Sequence, residues 1–598
     1  MTKLPLLALA IALALSPVST VKAAGQAPAA TAQAPDPRLH ALFEADWQRS
    51  LEDSPLMATY LGDTRYNHRL PDLSSAAVKQ RQDATRASLA SLLAIDRASL
   101  SAADQLNHDL YRQQLETDIA GFAYPTHLMP VSQQGGPHLF AVQMAPALRF
   151  DSAKDYADWT ARLRGYGDLV DQSIALMREG MAAGWVPPKA VMQRVPAQIA
   201  AQRVDSAEKS SFYAPFLKMD GRVPAAEQAT LRADGRAAVE EVVLPALARF
   251  EAFFNDTYLP AAPASVATGD LPDGRAYYDH LARLYTTTDL SADAIHAIGL
   301  KEVARIRGEM EKIREEVGFE GDLAAFFTHL RTDPKFFHTD PQALLADYRA
   351  LSRRIDPELV KVIGLLPRTP YGIIPIPDAI APDTTTAYYQ QPSADGLRAG
   401  YYYVNLYKPD SRPRWEMVPL SLHEAVPGHH LQIALSQEMP DQPMFRRQGG
   451  FTAFVEGWGL YAERLGYDMG LYDDPYDRMG QQAYDMWRAV RLVVDTGLHS
   501  KGWTRQQAID YFKANAPKSE LDITNEIDRY ISTPGQALAY KIGQLKLSEL
   551  RARAEAQLGD RFDLRRFHDA VLGDGALPLS VLEARMTAWL AAQKTVSE

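Results

Sequence analysis

Cysteine is absent from this 598-residue sequence. That removes disulfides, thiolate nucleophiles, iron–sulfur clusters and cysteine-ligated zinc together, so any metal must be held by histidine, carboxylate, carbonyl or water. Positive charge is also in short supply: 63 Lys plus Arg stand against 74 Asp plus Glu, a net charge of −11. A large non-specific nucleic-acid binder needs a cationic surface to neutralise phosphates, and no interleaving of basic and aromatic residues suggests base stacking. No apolar run is long enough to span a bilayer; Leu6–Leu15 falls well short of the ~20 residues required. The sequence also lacks a G-x-S-x-G elbow, a phosphate loop and a G-x-G-x-x-G turn. Ser206-Ala207-Glu208-Lys209 fits S-x-x-K, but the S-D-N and K-T-G motifs that accompany it in serine acyl-transfer enzymes are missing.

What is present is globular. Hydrophobic residues at 46% and charged residues at 23% exclude wholesale disorder and collagen-like repeats. The length sets a prior of roughly four domain-sized units, or fewer if helices fuse around one cleft. Met1–Ala23 has the form of a secretory signal: Lys3, the apolar Leu6–Leu15, then Val21-Lys22-Ala23. With no cysteine for lipid attachment, the mature protein is expected in the periplasm or medium without a stable membrane anchor. Residues 24–37, rich in Ala, Pro and Gln, are expected to form a disordered tether. The remainder is predicted mainly helical. Ser291 is placed as an N-cap before Ala294–Glu316, with Leu290 and Ile295 as a hydrophobic staple, and Thr504 and Gln507 form a capping box. Long amphipathic stretches lie near Ala76–Leu93, Tyr156–Met181, Ala225–Phe254, Pro475–His499, Gly535–Gln557 and Ser580–Ala592. Strand signal is confined to Tyr401–Tyr407, either a core strand or an edge able to accept a peptide, and to the proline-demoted Tyr371–Pro377. The Pro/Ala/Gly-rich residues 259–274 are read as a hinge between an N-terminal helical lobe, 38–258, and a catalytic lobe, 275–598.

Chemistry concentrates at Leu420–Gln432, where His423, His429 and His430 bring three of the 14 histidines within eight residues. Neutral imidazoles bind zinc, and a carboxylate beside the ion takes a proton from the water it activates. The helical form of that site is H-E-x-x-H, with ligands at i and i+4. Here i+4 from His423 is Pro427. In a regular helix His430, at i+7, lies about 10.5 Å along the axis, and His429, at i+6, points roughly 240° away. Neither can share an ion at about 2.0–2.1 Å. Pro427-Gly428 offers a break that absorbs two residues and returns His429 to the i+4 place. His423 and His429 are therefore the preferred ligands and Glu424 the base. His430 is a second-sphere or substrate-facing group and the alternative ligand. In Phe454–Glu463, Glu456 and Glu463 stand at i and i+7 of an apolar, aromatic helix, where acids are costly unless paired. Glu456 is read as the third ligand and Glu463 as the outer-shell acceptor of a ligand imidazole, roles that spacing alone leaves interchangeable.

These two segments, HEAVPGHHLQ and FVEGWGLYAE, together with Ser532–Gly543 (STPGQALAYKIG), resemble the bacterial family catalogued as domain of unknown function 885. The resemblance covers most of the chain after the tether. It implies a mainly α, zincin-like metallohydrolase with two lobes around a deep cleft and a small β element, and it carries over His423, Glu424, His429 and Glu456. Arg529 and Tyr530 are candidate oxyanion donors, with Tyr540 and Lys541 behind them. His499 is a further donor or substrate contact, and Arg491, two turns earlier, a partner for an acid or a substrate carboxylate. The function expected is an exported zinc-dependent peptidase holding one Zn2+, with a peptide or small amide as substrate. A non-catalytic periplasmic binding protein with a structural metal, and a zinc amidase, are the alternatives.

Overall fold

The computed structural model describes residues 34–378 and 380–595. The signal read over Met1–Ala23 and the tether up to residue 33 lie outside the described residues. The last tether residues are ordered: Pro37 opens a helix, Pro37–Asp53, whose N-cap Asp36 accepts from the Arg38 and Leu39 amides.

Helices dominate, and local signals set their ends. Helix α1, Ala292–Glu316, starts where Ser291 accepts from the Ala294 amide. Thr504 and Gln507 form both halves of their capping box. The stretch expected as one helix from Ala225 contains two π-helical turns, Val239–Val243 and Phe254–Tyr258, before it ends at Ala261. One apolar core runs from Leu110 to Leu590, so residues before and after 259–274 share it. The segment read as a hinge is pinned instead: Thr268 is buried and its hydroxyl lies 2.9 Å from His499 Nδ1. Among the described residues no helix is long and apolar enough to cross a membrane.

The small β element is a three-stranded sheet in the order β1 (Tyr371–Pro375), β3 (Gly400–Val404), β2 (Ala387–Gln390). β1 runs parallel to β3 and β2 antiparallel to it. The strand expected over Tyr401–Tyr407 is thus the central one, paired on both sides, and cannot accept a peptide. It stops early because the Asn405 side chain donates to the Ala381 carbonyl and accepts from the Tyr407 amide, turning the chain.

Seven further helices build the site: α2 Pro341–Ile355, α3 Met417–Glu424, α4 His429–Gln437, α5 Thr452–Met469, α6 Pro475–Ser500, α7 Glu520–Ser532 and α8 Leu538–Leu558. Helix α6 is buried along most of its length, yet it carries a polar stripe at Asp485, Arg488, Arg491, Asp495 and His499. Such groups are tolerated inside only when satisfied, and each has a partner. Asp485 meets Lys541 of α8 at 2.6 Å. Arg488 lies 3.4 Å from Glu463 of α5. Arg491 donates to Glu526 and Tyr530 of α7 at 3.0 and 2.8 Å. Asp495 accepts from Tyr278 and from the Gly535 amide. The stripe is a polar spine that fixes α5, α7 and α8 around α6. Helices α5 and α8 cross closely, since a β-carbon on Gly457 would come within 2.6 Å of the Gly543 backbone.

Candidate metal centre

The chain breaks where proline and glycine stand. Helix α3 ends at Glu424, Ala425 takes φ −102° and ψ −106°, and α4 restarts at His429 after Gly428 at φ −75° and ψ −129°. Proline has no amide hydrogen to continue the ladder. A β-carbon on Gly428 would strike the His423 carbonyl. The two extra residues are thereby absorbed, and the His423 and His429 rings meet edge to face with centroids 4.6 Å apart.

Glu456 of α5 completes the group. One ligand atom from each of His423, His429 and Glu456 lies within 4.8 Å of the others. Glu456 Oε2 is 3.2 Å from His429 Nε2 and 3.7 Å from His423 Nε2. Two ligands on a tetrahedral zinc with bonds of about 2.0–2.1 Å stand about 3.3 Å apart, so the donor set and its spacing fit that ion. Glu456 Oε2 is buried and has no hydrogen bond of acceptable geometry, although both ring nitrogens are near. An oxygen aimed at a shared point rather than at either ring is what a ligand set requires. Burial alone would raise the Glu456 carboxyl, but His429 and His423 outweigh it and hold it well below the ordinary range.

The surroundings orient these groups. Glu463 Oε1 lies 2.8 Å from His423 Nδ1, leaving Nε2 to face Glu456. Burial lowers the affinity of His423 for a proton, yet the two flanking glutamates prevail and raise it to about 9. Gly459, between Glu456 and Glu463, is where the imidazoles come closest to α5: a β-carbon there would lie 2.9 Å from His423 Cε1 and 3.1 Å from His429 Cε1. Glu424 is 8% exposed, and its carboxylate makes no hydrogen bond or ion pair among the described residues. Tyr540 stacks over His423 at 6.3 Å, with the Arg491 guanidinium 4.3 Å from its own ring centre. Burial raises the Tyr540 hydroxyl, and the charge of Glu456 adds to this.

His430 is turned elsewhere. Its Nε2 donates to the Thr369 carbonyl at 3.0 Å, and its Nδ1 accepts from the Tyr389 hydroxyl at 2.9 Å. Burial lowers it to about 4. Both nitrogens being used, it is a brace between α4 and the sheet. The structure also keeps several candidate residues out of the His/Glu group. The Tyr530 hydroxyl is fully buried and receives Trp487 Nε1 and Arg491 Nε at 2.9 and 2.8 Å. His499 is held by Thr268 and the Tyr530 carbonyl, and Lys541 by Asp485 and Glu302. Arg529 is tied to Glu526 and Gln536 but lines the main cavity.

That cavity has a volume of about 1890 Å³. Its wall includes Tyr388, Tyr389, Gln390, Thr452 and Arg529, and does not include the three ligand side chains themselves. The group lies just behind this wall. Tyr389 stacks beside His429 at 6.5 Å, Thr452 is one turn before Glu456, and the Glu456 and His429 side chains retain 17% and 11% exposure. Tyr389 carries no sequence signal, because it sits in a strand too short to show a pattern. Gly459 carries one, the G-W-G spacing between two acids, which the motif reading above does not use.

The family model described as Bacterial protein of unknown function (DUF885) matches residues 55–586. A crystal structure of a "putative lipoprotein" from Colwellia psychrerythraea is similar over 93% of this chain and 99% of that one, with 28% identity and a TM-score of 0.87. A second, a "putative lipoprotein of unknown function" from Shewanella oneidensis, covers 92% of this chain and 99% of its own at 18% identity and TM-score 0.69, and shows the fold alone. No curated protein matches the chain.

Proposed function

The chain belongs to the bacterial DUF885 family, and we propose that it is an exported zinc-dependent metallohydrolase, a peptidase that uses Glu424 as its general base. One observation carries the reading: two imidazole nitrogens and a carboxylate oxygen converge within 4.8 Å, and Glu424, next to His423 in the chain, is buried and makes no hydrogen bond or ion pair among the described residues. Three protein ligands leave a fourth position open, which is the arrangement of hydrolytic rather than structural zinc. Bound there, zinc supplies Lewis acidity to a carbonyl oxygen and to a water molecule.

The chain's own groups do the rest. His423 is presented through Nε2 because Glu463 occupies Nδ1. Glu424, next in the chain, takes the proton of the attacking water and passes it to the leaving amine. Tyr540 takes the oxyanion role in place of Arg529 and Tyr530. Among the described residues its hydroxyl has one long 3.4 Å contact, from Gln536, so its proton is free to be donated, whereas Tyr530 is enclosed among Arg491, Trp487 and Glu526. Arg491 acts beneath the Tyr540 ring and fixes its position. The test is a peptide-library digest of the zinc-loaded protein beside Glu424→Gln with metal content measured in both. The expected result is unchanged zinc and a loss of hydrolysis of at least 100-fold. Full activity in the variant would refute the mechanism.

A further inference from the structure

The sheet has two edges, and they are not equivalent. On β1 the Ile373 carbonyl accepts from Arg349 of α2, Nε at 3.2 Å and Nη2 at 3.0 Å, and Pro375 has no N–H to offer, so that edge is partly blocked. On β2 the hydrogen-bonding phase follows from one bond: the Asn405 amide donates to the Thr386 carbonyl at 3.0 Å. Antiparallel pairing alternates, so Tyr388 and Gln390 turn their amides and carbonyls toward β3, while Ala387 and Tyr389 turn theirs outward. The backbone N–H and C=O groups of those two residues have no partner among the described residues. An open strand edge is a template for another strand unless it is blocked.

This edge faces the chemistry. Tyr388, Tyr389 and Gln390 line the cavity, and the rest of its wall is rich in neutral amides, including Gln133, Gln198 and Gln448. Helix α3, which carries His423 and Glu424, packs against β2. The Tyr389 hydroxyl, bonded to His430 Nδ1 at 2.9 Å, ties the strand to the start of α4, one residue from His429. The register between the edge and the metal group is therefore fixed by a side-chain bond on the same residue whose backbone points outward.

We infer that the free edge of β2 is the substrate-docking edge: an extended peptide lies along it, pairing with the backbone of Tyr389, the outward-facing residue that lines the cavity, and so brings its scissile carbonyl to His423, His429 and Glu456. The inference rests on the peptidase reading and gives it a substrate class, an unfolded peptide recognised through its backbone. Backbone pairing supplies affinity independent of sequence, while alternate side chains point into the cavity.

The experiment is a depsipeptide scan on the zinc-loaded full chain. The best-cut member of an internally quenched heptapeptide library is resynthesised with one amide at a time replaced by an ester, leaving the scissile bond intact. Each ester removes a single N–H donor and needs no protein variant. The expected profile has one sensitive position: kcat/KM falls tenfold or more where the ester removes the N–H that donates to the Tyr389 carbonyl, and changes less than threefold elsewhere. A flat profile on a peptide that is cut would overturn strand docking while leaving the hydrolase reading in place. Failure of the wild type to cut any library member would overturn both.

Discussion

Gly459→Ala puts one methyl group between the two imidazoles. Its carbon would stand 2.9 Å from His423 Cε1, 3.0 Å from His423 Nε2 and 3.1 Å from His429 Cε1. Ordinary carbon contacts begin near about 3.5 Å, so the His423 ring must withdraw by about 0.5 Å. It cannot swing freely, because Nδ1 is held by Glu463 at 2.8 Å. Metal–ligand distances tolerate about 0.2 Å, so the displacement exceeds what a shared ion can absorb. Loss of a ligand-orienting contact weakens metal affinity by roughly 10–100-fold, and moving two ligands at once is expected to reach the upper end. In a helix interior the same change would by itself stabilise by about 0.5–1 kcal/mol. Structural collapse and metal loss therefore separate in opposite directions. The assay is zinc affinity by competition with a chromophoric chelator, with thermal unfolding in EDTA as the folding control. An apo Tm within a few degrees of wild type and zinc affinity reduced about 100-fold is the predicted pair. Unchanged zinc affinity in a folded variant would refute the placement of the ion between these rings.

Glu463→Gln should weaken zinc binding by roughly 10–100-fold, since it removes the carboxylate acceptor of a ligand imidazole, and should also lower apo stability, since it takes the carboxylate from buried Arg488; a chelator titration reads the first and urea unfolding in EDTA the second. Lys541→Met should cost about 1–3 kcal/mol, because Asp485 and Glu302 lose their buried cation and keep only the half-exposed Arg305 that bridges them; urea unfolding with and without zinc checks that the loss does not depend on metal. Asp495 bears on pH. Burial first raises its carboxyl to about 7 against the ordinary 3.8, despite the Tyr278 and Gly535 donors. The folded state thus keeps a proton that the unfolded state has released. Stability falls as pH rises from about 4 to 7 and levels off above that, by a total on the order of 4 kcal/mol. Asp495→Asn should flatten that part of the Tm–pH curve, and an unaltered slope would show that Asp495 does not carry it.

Much of the site was legible because its signals are local. Pro427-Gly428 disfavours a continuous helix, so backbone chemistry made His429 the preferred partner of His423, and only the distant contacts of His430 to Thr369 and Tyr389 separate the two. Caps at Ser291 and Thr504 are equally local, and the helices after them begin where those residues stand. The failures share a cause. Tyr530 and His499 carry the right functional groups, but whether a hydroxyl or imidazole is free depends on partners far away in the chain: Arg491 and Trp487 for one, Thr268 for the other. The central position of β3 could not be read from Tyr401–Tyr407, because the pairing depends on β2, where only Ala387–Gln390 enter the ladder. Residues 259–274 have the composition of a linker, yet they pack against α6, since Thr268 meets His499.

The proposed activity requires a metal held by His423, His429 and Glu456, with His430 outside the set. Zinc stoichiometry by elemental analysis of the purified protein, in wild type, His429→Ala and His430→Ala, tests it most directly. The prediction is close to one zinc per chain in wild type and in His430→Ala, and less than a tenth of that in His429→Ala. Zinc retained without His429, or lost only with His430, would contradict it.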